Sequence, residues 1–267
     1  MDKQLVVIFA LTFLIHLIAT LAYSVRIAGA RTGRIAVSLS LFNILVLISR
    51  TSNSFQEPLL TKRVEHDLVH GLTAGAASDF RWLLLAATLA TLVGGILIPT
   101  FQRVFGRAVI AFATSRSLPR LLQQAISRPG LAFLQRSARL PALTNLTQLP
   151  TAQRISGRVI ALNIVATAVA TVGVFASLYA GYLKPELRAT AASLSVIING
   201  VATIFLFVFI DPYLSILTDD VTQGTVSESY FRRSVVWLVC SRFAGTVLAQ
   251  ILLIPAATCI ALVAERL

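Results

Sequence analysis

Six stretches of this chain are each long and oily enough to cross a lipid bilayer as a helix: near residues 4–25, 35–57, 82–102, 158–183, 189–211 and 233–263. About 20 apolar residues in helical form span the hydrocarbon layer, and a helix satisfies its own backbone hydrogen bonds where no water can. The expected fold class is therefore an all-α integral membrane protein with six transmembrane helices. Composition agrees, with 56% hydrophobic and 13% charged residues and a mean hydropathy of +0.81. A water-soluble domain could not cover its surface with that balance. The first stretch reads as a span rather than a signal peptide, because MDK carries little net charge, the apolar run is too long and no small-x-small cleavage site follows. Trp82, Trp237, Tyr23, Tyr179, Tyr182, Tyr213 and Tyr230 fall near segment ends and read as interfacial anchors. Cys240 and Cys259 share one apolar stretch, which suits packing better than a disulfide or thiolate metal site.

Orientation follows from the basic residues. The connection after the first span holds Arg26, Arg31 and Arg34, and the one between the third and fourth holds eight arginines, from Arg103 to Arg154, with no acidic residue. The positive-inside rule places both in the cytoplasm. The mixed-charge segment with Lys62, Arg63, Glu65 and Asp67, and the short turn YLKPELR, then lie outside with both termini. The formal charge of +12 is largely this topology signal. Nucleic acid is not expected as a partner, since no aromatic-rich polar domain accompanies the arginines. Between 101 and 140 arginines alternate with apolar residues around Pro119, Pro129 and Gly130, a pattern for short basic helices in the headgroup plane that gather anionic membrane lipids. The ordinary basicity of cytoplasmic loops explains the same arginines equally well. The chain thus divides into a three-helix unit over 1–102, a basic amphipathic loop over 103–157 and a second three-helix unit over 158–267.

An internal repeat links the two units. Tyr23, Ser38-Leu39-Ser40, Asn43 and Glu57-Pro58 recur in order as Tyr179, Ser193-Leu194-Ser195, Asn199 and Asp211-Pro212, at an offset of about 155 residues. Phe80-Arg81 against Phe231-Arg232, and ILIP ending at Pro99 against LLIP ending at Pro255, continue the series with a gap of several residues. Three spans per unit turn the second copy upside down, which predicts a 3+3 inverted repeat, an architecture for alternating access around a midplane site.

The second span carries a polar load: in NILVLISRTSNSFQEPLL, Asn43, Arg50, Asn53, Ser54 and Glu57 form one stripe at helical spacing. A charge such as Arg50 costs about 2.5–3.5 kcal/mol in lipid on insertion scales, so the stripe is expected to face the protein interior or a wet cavity. Glu57 lies two turns away, too far for a direct helical pair, so another group has to satisfy Arg50. The sixth span adds Arg242 with Thr246 and Gln250, the first adds His16, and the fifth Ser193, Ser195, Asn199 and Thr203. Serines, asparagines and His16 also serve to hold helices together. The two arginines lack acidic partners at their depth, and a guanidinium matches phosphate oxygens, so an anionic, phosphorylated substrate crossing the bilayer is the reading they favour. Enzyme motifs are absent: there is no HExxH, GxSxG, P-loop or paired-cysteine site. EHDLVH places His66 and His70 one turn apart but reads as a solvated polar turn in an outer loop, so no metal is expected.

LAYSVRIAGARTGRIAVSLSLFNILVLISRTSN, followed by EPLL, resembles the N-terminal signature of the Amj-type lipid II flippases of bacteria, the alternate to the MurJ flippases. The resemblance implies a plasma-membrane protein, not an enzyme, that moves lipid II (undecaprenyl-pyrophosphate-linked disaccharide-pentapeptide) from the cytoplasmic to the outer leaflet for peptidoglycan synthesis, without a cofactor. It brings no residue set with it. On the residues alone, Arg242 would meet the pyrophosphate from the cytoplasmic side and Arg50 hold it toward the outer side. Asn43, Asn53 and Asn199 would replace water around sugar hydroxyls, with Glu57 in the same wall. His16 and Glu57 are candidates for proton coupling, although membrane potential or downhill consumption would need neither. A membrane-embedded transferase or phosphatase acting on a polyprenyl (pyro)phosphate, a transporter of another anionic lipid-linked glycan, and a structural partner remain the alternatives.

Overall fold

The structure is a computed structural model that describes residues 2–141 and 155–267, so Arg154 of the basic loop lies outside the described residues. Its helices are α1 (Lys3–Thr32), α2 (Ile35–Val69), α3 (Ala76–Ser115), α4 (Leu118–Ile126), α5 (Arg128–Ser137), α6 (Gly157–Leu183), α7 (Arg188–Phe205), α8 (Asp211–Thr222) and α9 (Glu228–Ala264). A 3-10 turn, Pro185–Leu187, precedes α7, and a π-helical turn, Leu206–Ile210, joins α7 to α8. Among the described residues, six helices are long and apolar enough to cross a membrane, the fifth being the whole run Pro185–Thr222. The protein is a multi-pass membrane protein, and each of the six stretches read from hydropathy falls inside one of these helices.

Helix ends depart from the expected ones where capping, not hydropathy, decides them. α1 runs on past residue 25 to Gly33, which adopts a left-handed φ of 66° that ends the helix without a Cβ penalty. Arg26 and Arg31 are therefore helical rather than part of a loop. α2 continues to Val69, so the EHDLVH motif forms its last turns. The His66 and His70 rings stack there at 4.2 Å, and among the described residues no three His, Cys, Asp or Glu side chains gather around a metal-sized site. α3 has 40 residues, about 60 Å at 1.5 Å per residue and about twice the hydrocarbon thickness. Its C-terminal third absorbs Arg103 and Arg107, which the sequence placed in the loop. The basic segment beyond it does form short helices: α4 and α5 fold back on α3, with the Arg107 guanidinium 4.4 Å over the Phe133 ring and Thr100 bonded to the backbone of Arg139 at 3.0 Å.

Helices in a bilayer gain little from the hydrophobic effect and associate through close packing and hydrogen bonds, for which small residues are needed. Both halves of the bundle use that device. A Cβ added at Gly94 of α3 would stand 2.8 Å from Thr20 Cβ of α1, and one added at Gly245 of α9 would stand 2.8 Å from Thr167 Cβ of α6 and 2.7 Å from the Ile164 carbonyl. At these points α1 and α3, and α6 and α9, approach closely enough to leave no room for a side chain on the glycine. Asn163 donates to the Leu238 carbonyl at 2.9 Å and to Ser241 at 2.7 Å, tying α6 to α9 again.

α1 and α6 are the central helices. Every residue from Thr20 to Gly29 is buried, as is every residue from Thr171 to Leu178, so each central helix is enclosed all round in its C-terminal half. α1 packs there against α8, and α6 correspondingly against α2. Polar links close one end of the bundle: Arg63 reaches Asp2 at 2.5 Å and Asp79 at 2.6 Å, Tyr182 donates to Asp67 at 2.8 Å and Lys184 meets Glu265 at 2.5 Å. Both chain ends lie at this end. Asp2 also caps α1 by accepting from the Leu5 N–H at 2.8 Å, and that bond, with Arg63 beside it, holds its carboxyl below the usual range. Glu265 raises the Lys184 ammonium above its ordinary value. The opposite end carries the Arg31–Glu228 pair at 2.5 Å and the basic helices. Cys240 and Cys259 are both free.

Candidate functional site

A cavity of about 460 Å³ opens in the middle of the bundle, with walls from α1, α2, α6, α7, the π turn, α8 and α9. Its volume is in the range of small-molecule sites, about 300–1,000 Å³. α2 and α7 form facing sides of it yet barely touch each other along their backbones. Side-chain links join α2 to α7 and to the π turn that follows it. Ser195 of α7 donates to the Glu57 carboxylate of α2, and the Arg50 guanidinium sits 5.2 Å over the Phe207 ring of the π turn. The outward faces of α7 and the π turn, including Val201, Ile204, Val208 and Phe209, are exposed and apolar, as suits contact with lipid chains.

Most of the side chains singled out from sequence converge here: Arg50, Asn53 and Ser54 from α2, Arg242 from α9, His16 from α1, and Asn199 and Thr203 from α7 all line the cavity. Asn43 does not. It lies two turns from Arg50 and is exposed, while its neighbour Phe42 lines the cavity, so at that height the wall is formed one position further round the helix. Glu57 is also off the cavity wall, engaged by Ser195. His16 and Arg242 carry an informative feature: His16 Nδ1 and Arg242 Nε are buried with no hydrogen-bond partner. A buried polar atom left unpaired is costly, and both side chains line the cavity.

Three contributors escaped the sequence reading. Arg26, taken there as a loop charge, is 4% exposed inside α1 and pairs with Asp211 at 3.2 Å. It donates further to Ser215 at 3.0 Å and lies 4.5 Å over the Phe42 ring. Asp211, seen only as a repeat landmark, stands on the cavity wall at the start of α8, within the fields of both Arg26 and Arg50. Tyr23, taken as an interfacial anchor, is buried in the cavity lining, where its hydroxyl interacts with Arg242. Asp211 is thus the acidic partner of Arg26, and Arg50 reaches the same cavity without an ion pair of its own among the described residues. The π turn next to Asp211 is a break of the kind that recurs at functional sites within helices.

A bundle of spans around a cationic, partly unsatisfied cavity, with lipid-facing helices that hardly meet, is the build of a membrane transport protein for an amphipathic anion. The comparisons with known proteins name the family. The profile described as "Amj: Alternate to MurJ" matches residues 11–264, and the chain belongs to the Amj family. It is similar to the lipid II flippase Amj of Bacillus subtilis (strain 168), 40% identical over 259 residues, covering 97% of this chain and 96% of that protein. No solved structure matches it.

Proposed function

We propose that this chain is a lipid II flippase, a transporter and not an enzyme, that carries the undecaprenyl-pyrophosphate-linked precursor from the cytoplasmic to the outer leaflet of the bacterial plasma membrane. The observation that carries the reading is the pair Arg50 and Arg242 on one cavity wall system. With Asp211 neutralised by Arg26, these two guanidinium groups leave two positive charges, which match the two negative charges of a pyrophosphate diester. The energetic obstacle in flipping is the headgroup, because unpaired charge in hydrocarbon costs many kcal/mol, whereas the polyprenyl tail is at home there. Arg50 and Arg242 replace water around the pyrophosphate, Asn53 and Asn199 take sugar hydroxyls, and the seam between α2 and α7 leaves the tail in lipid. The sugars and peptide beyond the pyrophosphate exceed the present cavity, so passage requires α2 and α7 to part. Asn43 and Glu57 are left outside the headgroup wall on this account, Glu57 serving with Ser195 to latch the seam. His16, unpaired beside Arg242, remains the better placed of the two proton-coupling candidates.

Orientation and symmetry belong to the same proposal. The basic helices lie in the cytoplasm and both termini outside, by the positive-inside rule; α4 and α5 then rest at the inner headgroups among anionic lipid. The two halves are inverted copies. Support comes from the reciprocal packing of α1 on α8 and α6 on α2. Reconstitution tests the function. Liposomes holding the purified protein should move fluorescent lipid II between leaflets unaltered. Chemical change of the lipid would mark an enzyme, and no relocation would leave a structural partner.

A further inference from the structure

An ion pair, Arg26 with Asp211, stands at the inner end of the cavity. A buried pair is weak evidence for stability, since two desolvated charges roughly cancel their own attraction. Here the pair is also incomplete: Arg26 Nε is buried without a partner, while the Asp211 side chain keeps 24% of its surface exposed, on the cavity wall. The carboxylate therefore occupies the edge of an anion site: it is bonded to Arg26 of α1 at 3.2 Å and shares the cavity wall with Tyr23 of α1 and Arg50 of α2. Transport demands binding strong enough to enter and weak enough to leave, and two guanidinium groups closing on a pyrophosphate with nothing to oppose them would hold it too long.

Resting on the flippase reading, we propose that Asp211 is a built-in competitor for the arginines: it is displaced when the pyrophosphate binds and, by returning to Arg26 and Arg50, drives the headgroup off the site. It is a release residue, not a ligand. Its position immediately after the π turn suits this, because α8 can move with Asp211 while α7 keeps its own contacts.

The test uses the full chain in liposomes with fluorescent lipid II, reading the lipid concentration for half-maximal flux and the maximal flux separately. Asp211→Asn should lower the half-maximal concentration about tenfold, as expected for losing one opposing charge at close range, and should lower maximal flux as well. Asp211→Glu, which keeps the competing charge, should restore much of the flux. An Asp211→Asn protein with unchanged or weakened apparent affinity overturns the proposal. Should that variant fail to fold, a background lacking the cation settles the matter. Arg26→Gln frees Asp211 onto Arg50 and should weaken apparent affinity, and adding Asp211→Asn to it should recover about tenfold. No recovery means that the pair is a structural link. Wild-type protein that moves no lipid II defeats the underlying reading instead, so the two failures are told apart.

Discussion

Replacing Arg50 by glutamine separates what this residue does for the fold from what it does for the cargo. Its structural contacts are few: the stack on Phe207 at 5.2 Å is worth about 0.5–1 kcal/mol. Removing the charge also relieves part of an insertion cost of about 2.5–3.5 kcal/mol, so the variant is expected to insert and fold at least as well as the parent. The loss falls on binding. A guanidinium about 4 Å from a phosphate charge contributes about 4 kcal/mol at an effective dielectric of about 20. Arg50 is exposed to the cavity, and discounting by about half for solvent screening leaves about 2 kcal/mol, roughly thirtyfold in apparent affinity. Arg50→Lys should recover only part, because a point charge lacks the bidentate fork. Arg50→Gln together with Arg242→Gln should abolish flux. The assay is lipid II translocation in liposomes, backed by survival of a bacterium stripped of its other lipid II flippases, with protein level checked by immunoblot. Wild-type flux from a well-inserted double variant would show that the headgroup travels elsewhere.

Other predictions concern the frame. Gly245→Val should destabilise by about 1–3 kcal/mol through overpacking against the Ile164 carbonyl and Thr167, whereas Gly106→Ala, in open space, should not; equal thermal midpoints in detergent for both would remove the close-approach argument. Single cysteines at Ser117 and Thr73, in a chain freed of Cys240 and Cys259, should label oppositely with an impermeant maleimide in intact cells, Thr73→Cys reacting and Ser117→Cys not; the reverse pattern inverts the topology. Because the folded pKa of Asp2 is depressed by Leu5 N–H and Arg63, its contribution is fully present above about pH 4 and is lost as pH falls through its folded value. Asp2→Asn should therefore blunt the acid sensitivity of the unfolding midpoint, and an identical acid profile would show that this cap carries no pH dependence.

The spans were legible because hydropathy over about 20 residues is a redundant signal that survives local errors. Arg50, Asn53, Asn199, His16 and Arg242 were legible because polar groups at membrane depth have few places to go. Arg26 was not, since its helix ends at Gly33 rather than where the charges begin. Asn43 misled for another reason. Helical spacing places Asn43 in the stripe with Arg50, but the cavity wall follows Phe42, Val46, Ser49 and Asn53, and Asn43 falls beside that line, exposed. Asp211 needed a partner more than 180 positions away in sequence, Arg26, which no local pattern announces.

The π turn at Leu206–Ile210 has a mechanical consequence. A segment whose backbone bonds reach one residue further than those of an α-helix is out of step with the helices on either side, so a twist applied to one side need not be transmitted to the other. The fifth span is thereby two levers on one axle. α7 carries Ser195, which holds Glu57 of α2, and α8 carries Asp211, which holds Arg26 of α1. The two fastenings are expected to release one at a time, and a carrier whose doors cannot both stand open admits its cargo without leaking ions.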